Sequence, residues 1–272
     1  MWIERKCQAT LLEISKTFPA LVITGPRQVG KTTTLLRVFP RYSYISLDLP
    51  YNAAQAENNP EAFLSEHGDS LIIDEVQYAP SLFRYLKVSI DADRRPGRFM
   101  LTGSQHFPLM EGISDSLAGR CAVLNMYGLS AQEVEASPAP WDKAQFIWKG
   151  GMPDLHARPE MSPDYWHTSY LATYLERDVR NIINVGSLRD FDRFLRACAL
   201  RIGQLLSLSD LARDVGVSVN TVKSWISVLE TSGQIFLLEP YYRSLGKRLT
   251  KSPKLYFTDT GVASFLLGFE TA

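Results

Sequence analysis

Cysteine is scarce in this 272-residue chain, and its three copies stand far apart at Cys7, Cys121 and Cys198. An odd number at such spacing excludes a closed disulfide framework. The lack of any C-x-x-C pair also excludes the common zinc and thiol–disulfide motifs. The thiols are expected to be reduced, as in a cytoplasmic protein. No apolar run approaches the roughly 20 residues that cross a bilayer, and Met1-Trp2-Ile3-Glu4-Arg5-Lys6 lacks the apolar core of a secretory signal. The expectation is a soluble cytoplasmic chain with no membrane partner. A charge excess is missing too: 29 Lys and Arg balance 29 Asp and Glu. That excludes a uniformly basic nucleic-acid binder, though not a local basic face. Neither internal repeats nor low-complexity tracts occur. G-x-G-x-x-G, H-E-x-x-H and G-x-S-x-G are absent, which removes the usual grounds for a dehydrogenase, a zinc hydrolase or a serine hydrolase.

Against these absences stands one complete pattern. Gly25-Pro26-Arg27-Gln28-Val29-Gly30-Lys31-Thr32 reads G-x-x-x-x-G-K-[ST]. The apolar run Leu21-Val22-Ile23 precedes it and the helix-compatible Thr33-Thr34-Leu35-Leu36-Arg37 follows. Strand, glycine-rich turn and helix are the context in which this string binds phosphate. Glycine permits a turn tight enough for successive backbone N–H groups to point inward, and the positive end of the helix adds to the attraction. Lys31 would reach the β- and γ-phosphates, and the Thr32 hydroxyl would hold Mg²⁺. Arg27 would touch phosphate or pair with an acid. ATP or ADP with Mg²⁺ is the expected ligand, because no N-K-x-D string argues for guanine.

The apolar content, 45%, supports a sizeable core, and the length supports two or three domains. Apolar strands at Leu21–Thr24, Tyr42–Leu47, Leu71–Ile73, Phe99–Leu101 and Ala122–Leu124 alternate with helical stretches. That alternation predicts an α/β doubly wound parallel sheet. Among the helical stretches, one carries Asn59-Pro60 as cap and first-turn pair, and one spans Ser81–Arg94. A helix is also expected over Pro108–Leu117. Leu71-Ile72-Ile73-Asp74-Glu75 ends a strand in adjacent acids. Asp74 would hold the Mg²⁺ shell and Glu75 would act as general base on the attacking water. Thr102 and Ser104, after the fourth strand, would contact the γ-phosphate or its water; a plain Thr-Gly-Ser turn is the alternative. Asp48 and Gln77 lie at strand ends facing the same crevice. Arg120 would complete a neighbouring subunit's site, or it is a surface Arg at a helix end.

Composition shifts at Ser137-Pro138-Ala139-Pro140 and again at Gly150-Gly151. The expected domains are 1–136, a helical linker region over 137–200, and 201–272. Helices are expected over Tyr165–Ile183 and Leu188–Ile202. Residues 205–234 read as a helix-turn-helix. Ser209 caps the first helix, Gly216 makes the turn, and Ser218 caps a second helix with Val222, Trp225, Ile226 and Leu229 on one face. Ile235–Leu238 then begins a strand, as in a winged helix. Asn220, Thr221, Lys223 and Ser224 would face outward where base contacts are made. Arg243, Lys247, Arg248, Lys251 and Lys254 form an acid-free basic wing over 241–254. Contact with duplex DNA and packing as a structural module both remain open.

GPRQVGKTT, IIDEVQ, LTGSQ and SLAGR, followed by YLERDV and the helix-turn-helix, resemble a prokaryotic family over nearly the whole chain. These are AAA+-type ATPases, related to the signal-transduction NTPases, with a C-terminal domain of unknown function. The resemblance implies sheet order 5-1-4-3-2, with the sensor strand between the Walker A and Walker B strands. It maps Walker A onto Gly25–Thr32, Walker B onto Asp74 and Glu75, and sensor 1 onto Thr102–Ser104, and puts Arg120 at the arginine-finger position. Thr33, just after the loop, is expected among the nucleotide-binding residues. Arg120 acting in trans would make the chain a homo-oligomer, since a head-to-tail ring places it at a neighbour's phosphate. Family members commonly continue past a segment like Leu255–Gly261 into a nuclease-like domain.

Overall fold

A computed structural model describes residues 1–103, 116–138, 141–174, 188–241 and 251–272. These residues fall into two compact units. One runs from Glu4 to Tyr127; the other joins Met1–Ile3 to Gly128–Ala272.

In the Glu4–Tyr127 unit, α1 (Cys7–Ile14) leads to β1 (Ala20–Thr24), and α2 (Lys31–Val38) to β2 (Ser43–Ser46). Helices α3 (Pro50–Asn58) and α4 (Pro60–His67) precede β3 (Leu71–Asp74); α5 (Leu82–Ala92) precedes β4 (Phe99–Gly103) and β5 (Cys121–Asn125). The strands form one parallel sheet in the order β2-β3-β4-β1-β5, as expected. Every residue of β1, β3 and β4 is buried, which is why these strands are continuous apolar runs rather than alternating ones. Alternate residues Ala20, Val22, Leu71, Ile73, Phe99 and Leu101 share one core with Phe63, Phe83, Leu86 and Ile90 from α4 and α5.

Helix α5 follows from its spacing: Leu82, Phe83, Leu86 and Ile90 are buried along one stripe. It starts where Glu57 accepts from both the Ser81 N–H, at 2.9 Å, and the Ser81 hydroxyl, at 2.7 Å. It ends before Pro96. Asn59 stands at the N-cap of α4 as expected, although its side chain makes no capping hydrogen bond. Pro60 at the first helical position, with its φ already set, completes the expected pair. The helix expected over Pro108–Leu117 lies almost wholly outside the described residues.

The second unit carries the short helices α6 (Ala131–Glu135), α7 (Lys143–Lys149) and α8 (Pro153–Ala157). The longer α9 (Pro163–Tyr174) and α10 (Leu188–Ala199) come next. After them come α11 (Leu208–Val215), α12 (Val219–Thr231), β6 (Ile235–Leu238), β7 (Lys254–Phe257) and α13 (Thr260–Leu267). Strands β6 and β7 pair antiparallel, with Ile235 opposite Phe257. Phe191 and Phe194 of α10 meet Trp225 of α12 with ring centroids 5.1 and 5.2 Å apart. The buried carboxylate of Asp259 accepts from the N–H groups of Gly151, at 2.7 Å, and Val262, at 3.0 Å. It thereby caps α13 and ties it to the α7–α8 turn.

Gly216 ends α11 in the left-handed conformation, and the Ser218 hydroxyl caps α12 by accepting from Thr221 N–H at 3.1 Å. Ser209, however, is not the cap of α11. Ser207, with extended backbone angles, accepts from Asp210 N–H, and Ser209 already lies within the helix. Two serines spaced by one residue precede the same apolar face, and only the one three residues before a free N–H can cap.

Candidate functional site

The loop after β1 is shaped by its backbone. Gly25 has φ +137°, and a Cβ there would lie 2.0 Å from the Met126 carbonyl oxygen. Gln28 (φ 61°) and Gly30 (φ 89°) both take left-handed angles, on either side of buried Val29. Alternating handedness curls a backbone into an anion-accepting concavity. Helix α2 starts immediately afterwards, at Lys31. The Lys31 ammonium is buried and donates to the Gly25 and Pro26 carbonyls at 3.0 and 2.8 Å. Pro26 is buried, Arg27 and Thr32 half-buried, and Gln28 and Thr33 exposed.

Asp74, at the carboxyl end of β3, is the centre of a hydroxyl cluster. The Thr32 hydroxyl donates to its Oδ1 at 2.6 Å, the Thr102 hydroxyl donates to the same oxygen, and Tyr44 donates to Oδ2 at 3.1 Å. β3 lies next to β4, so Asp74 and the fully buried Thr102 come together by strand pairing. Glu75 takes a left-handed φ of 55°; its N–H donates to Thr102 Oγ1 at 3.2 Å, and its carboxylate accepts from the Gln77 amide. Burial, and then the Asp74 charge, push the Tyr44 hydroxyl above its ordinary range, so it remains a donor. One carboxylate with threonine hydroxyls is a hard oxygen donor set. It suits Mg²⁺, and the concavity shaped by the left-handed Gln28 and Gly30 suits a phosphate.

The expected residues Gly25–Thr32, Asp74, Glu75 and Thr102 thus converge at one end of the sheet. Thr33 faces outward on the first turn of α2. Asp48 is exposed, its N–H donating to Ser46 Oγ at 3.3 Å. Gln77 is buried, with its Oε1 lacking a partner. Ser104 lies outside the described residues. Arg120 is not brought to this cluster. It precedes β5, where Cys121 faces Ala20 across the sheet, while the loop leaves after Thr24. At about 3.3 Å per residue, those edges are about 13 Å apart. Arg120 makes a forked ion pair there, Nε and Nη2 each 2.8 Å from an Asp91 oxygen. This pair holds the Asp91 carboxyl below its ordinary range.

Two contributors were not apparent from the sequence. Tyr44 reads as an ordinary strand aromatic, yet it holds Asp74. Arg5 reads as one charge near the chain start, yet its buried guanidinium donates to the Val29 carbonyl of the loop at 2.8 Å. Neither carries a motif; pairing of β2 with β3 and packing behind the loop reveal them.

In the second unit, Asn220, Lys223 and Ser224 are exposed on α12 and Thr221 is half-buried. Lys251 and Lys254 are exposed, while Arg243, Lys247 and Arg248 lie outside the described residues. The nearby acids are engaged: Arg213 donates to Asp210 at 2.8 Å, and Arg201 donates to Asp214. No group of His, Cys, Asp and Glu among the described residues is arranged to hold a metal by itself. No described helix is long and apolar enough to cross a membrane.

Parallel sheet, phosphate loop and acid-ended neighbouring strand define the P-loop class of nucleotide-binding folds. Residues 17–135 match the model of an AAA domain family, and residues 141–272 match a domain of unknown function, DUF8612. Residues 17–135 thus form an AAA domain on a P-loop fold. An uncharacterized protein of Mycobacterium tuberculosis and another of Mycobacterium bovis are each 34% identical over 278 residues, covering 99% of this chain. The chain spans 61% of the length of each of these relatives. A Walker-type ATPase of Pyrococcus abyssi shares the fold, with a TM-score of 0.56 at 15% identity over 97% of this chain and 96% of that one.

Proposed function

We propose that this chain binds and hydrolyses ATP with Mg²⁺, and that the bound nucleotide moves its C-terminal helical and winged-helix part. The observation that carries the reading is the convergence of Thr32 and Thr102 on Asp74 at the mouth of the phosphate loop. The backbone of Gly25–Gly30 and Thr33 would cradle the phosphates, and Lys31 would supply positive charge to the β- and γ-oxygens. Thr32 and Asp74 would hold Mg²⁺, which when bound neutralises charge developing on the transferred phosphoryl group. Glu75, one residue beyond Asp74, would orient a water and accept its proton. Thr102, bonded to Asp74 and to the Glu75 N–H, would register the γ-phosphate, with Ser104 as its partner in that role. Arg120, at the opposite sheet edge, would serve the site of a neighbouring copy in a homo-oligomer. The working division is an ATPase domain over 1–136, a helical lid-like region over 137–200 and a winged helix over 201–272.

A second reading makes the chain a slow switch that holds ATP or ADP and binds duplex DNA or recruits a protein. It draws on exposed Asn220, Lys223 and Ser224 at the start of α12, and on the pairing of Asp210 and Asp214 with arginines, which lessens repulsion of phosphate. Steady-state ATP hydrolysis, with and without duplex DNA, separates the two readings. Wild-type turnover that falls about 10²–10⁴-fold in Glu75→Gln, with ATP still bound, is expected of the ATPase. Full turnover in Glu75→Gln refutes the assigned base. Tight binding with little turnover, unmoved by DNA, favours the switch.

A further inference from the structure

The chain passes between its two units twice, at Ile3–Glu4 and at Tyr127–Gly128. Both passages lie beside one side chain. Arg5 is 7% exposed, and a cation so buried must be matched by hydrogen bonds. Its Nη1 donates to the Val29 carbonyl at 2.8 Å and its Nη2 to the Tyr127 carbonyl at 2.6 Å. Two residues before Arg5, Ile3 is buried in the other unit's cluster with Leu129 and Val134. One rigid fork therefore links the phosphate loop to the last residue before the second passage, and it sits just after the first.

The carbonyl it grips has mechanical leverage. Val29 lies between Gln28 and Gly30, both left-handed, and at Gln28, which is not a glycine, that conformation is kept only where the surroundings fix it. The Val29–Gly30 peptide is trans and planar, so holding its oxygen on one side directs the Gly30 N–H to the other. The planar guanidinium fork serves two carbonyls in fixed geometry, which a lysine ammonium does not reproduce. An anchor for α1 alone would not need the loop, since the Arg5 backbone carbonyl already accepts from Gln8 N–H at 3.1 Å.

We propose that Arg5 is a positioning residue that sets the phosphate loop and transmits its nucleotide occupancy to both connections between the units. This rests on the loop's binding nucleotide, as argued above. The test uses the full chain with a fluorescent ADP analogue, and hydrogen–deuterium exchange with and without ADP. ADP is expected to slow exchange in the wild type at the loop and in peptides covering residues 1–6 and 125–130. Arg5→Met is expected to weaken ADP about tenfold, as for loss of a hydrogen bond to a charged group, and to abolish the ADP effect at 125–130. Arg5→Lys keeps the charge and the fold; it should regain part of the affinity without restoring the linked protection. Lys31→Ala is the control that removes ADP binding outright. Wild-type protection confined to the loop overturns the proposal, as do Arg5 variants with wild-type affinity and protection. Failure of both variants to fold also overturns it, in favour of a purely structural arginine. A wild type that does not bind ADP defeats instead the nucleotide reading beneath it.

Discussion

The Thr32 hydroxyl donates to Oδ1 of Asp74 at 2.6 Å, joining the end of the phosphate loop to the end of β3 across 42 residues of sequence. Thr102 donates to the same oxygen from β4. A carboxylate gathered this way is aimed before any ligand arrives, so little rotamer freedom remains to be lost on binding.

Asp74→Asn and Thr32→Val should therefore weaken ATP mainly when Mg²⁺ is present. Loss of a hydrogen bond to a charged group is worth about 1.5–3 kcal/mol, about 10- to 150-fold in affinity. Calorimetry with Mg²⁺ and with EDTA checks this; equal losses in both would deny these residues a metal role.

Arg120 is occupied by Asp91 in the single chain. If it serves a neighbouring copy, Arg120→Ala should lower turnover by about 10³-fold or more, whereas Asp91→Ala should preserve turnover or raise it. Mixing Arg120→Ala with Glu75→Gln should restore activity, because a site with an intact base then meets an intact arginine. No recovery on mixing, or full activity of Arg120→Ala alone, would end the idea of a shared site.

Duplex binding by the second unit would pass through exposed Lys223 and Lys251. Reversing both charges should reduce the slope of log affinity against log salt by about 2, one for each phosphate contact. An unchanged slope would remove this face from any DNA interface.

Asp69 supplies a pH test of stability. The Arg98 hydrogen bond, at 2.6 Å, holds the Asp69 carboxyl below its ordinary range. A depressed carboxylate stabilises the fold above the unfolded value near 3.9, and that contribution is lost as pH falls through the lower folded value. Asp69 is half exposed, so Asp69→Asn should destabilise at neutral pH by about 1 kcal/mol or less. Melting curves of the two proteins should converge as the pH drops below about 3.9. A constant gap across that range would assign the loss to shape rather than charge.

The sequence made some of these features plain and hid others, for identifiable reasons. Leu21-Val22-Ile23 and Leu71-Ile72-Ile73 are apolar on both faces because β1 and β3 are buried inside a parallel sheet, so the runs announce their strands. Asp74 was readable because it interrupts such a run at its carboxyl end. The strand order was not in those runs; it came from resemblance, since nothing in Phe99-Met100-Leu101 says which strand lies beside it. Ser218 was a legible cap because one serine preceded one apolar face. Ser207 and Ser209 competed, and only the backbone angles decide between them. Arg5 and Tyr44 could not be read at all: each acts through partners brought near by packing, at no fixed spacing.

The interior strand β1 also waits longest for its neighbours. Ala20 pairs with Phe99 on one side and with Cys121 on the other. On the ribosome, β1 emerges early but has no strand to join until β4 follows, Phe99 lying 79 residues after Ala20, and such distant pairing is slow. During that interval Leu21-Val22-Ile23 is an unpaired, sticky ribbon in a nascent chain. Fragments cut short of Cys121 should accordingly aggregate or recruit chaperones, whereas a chain released after Tyr127 holds every strand of its sheet.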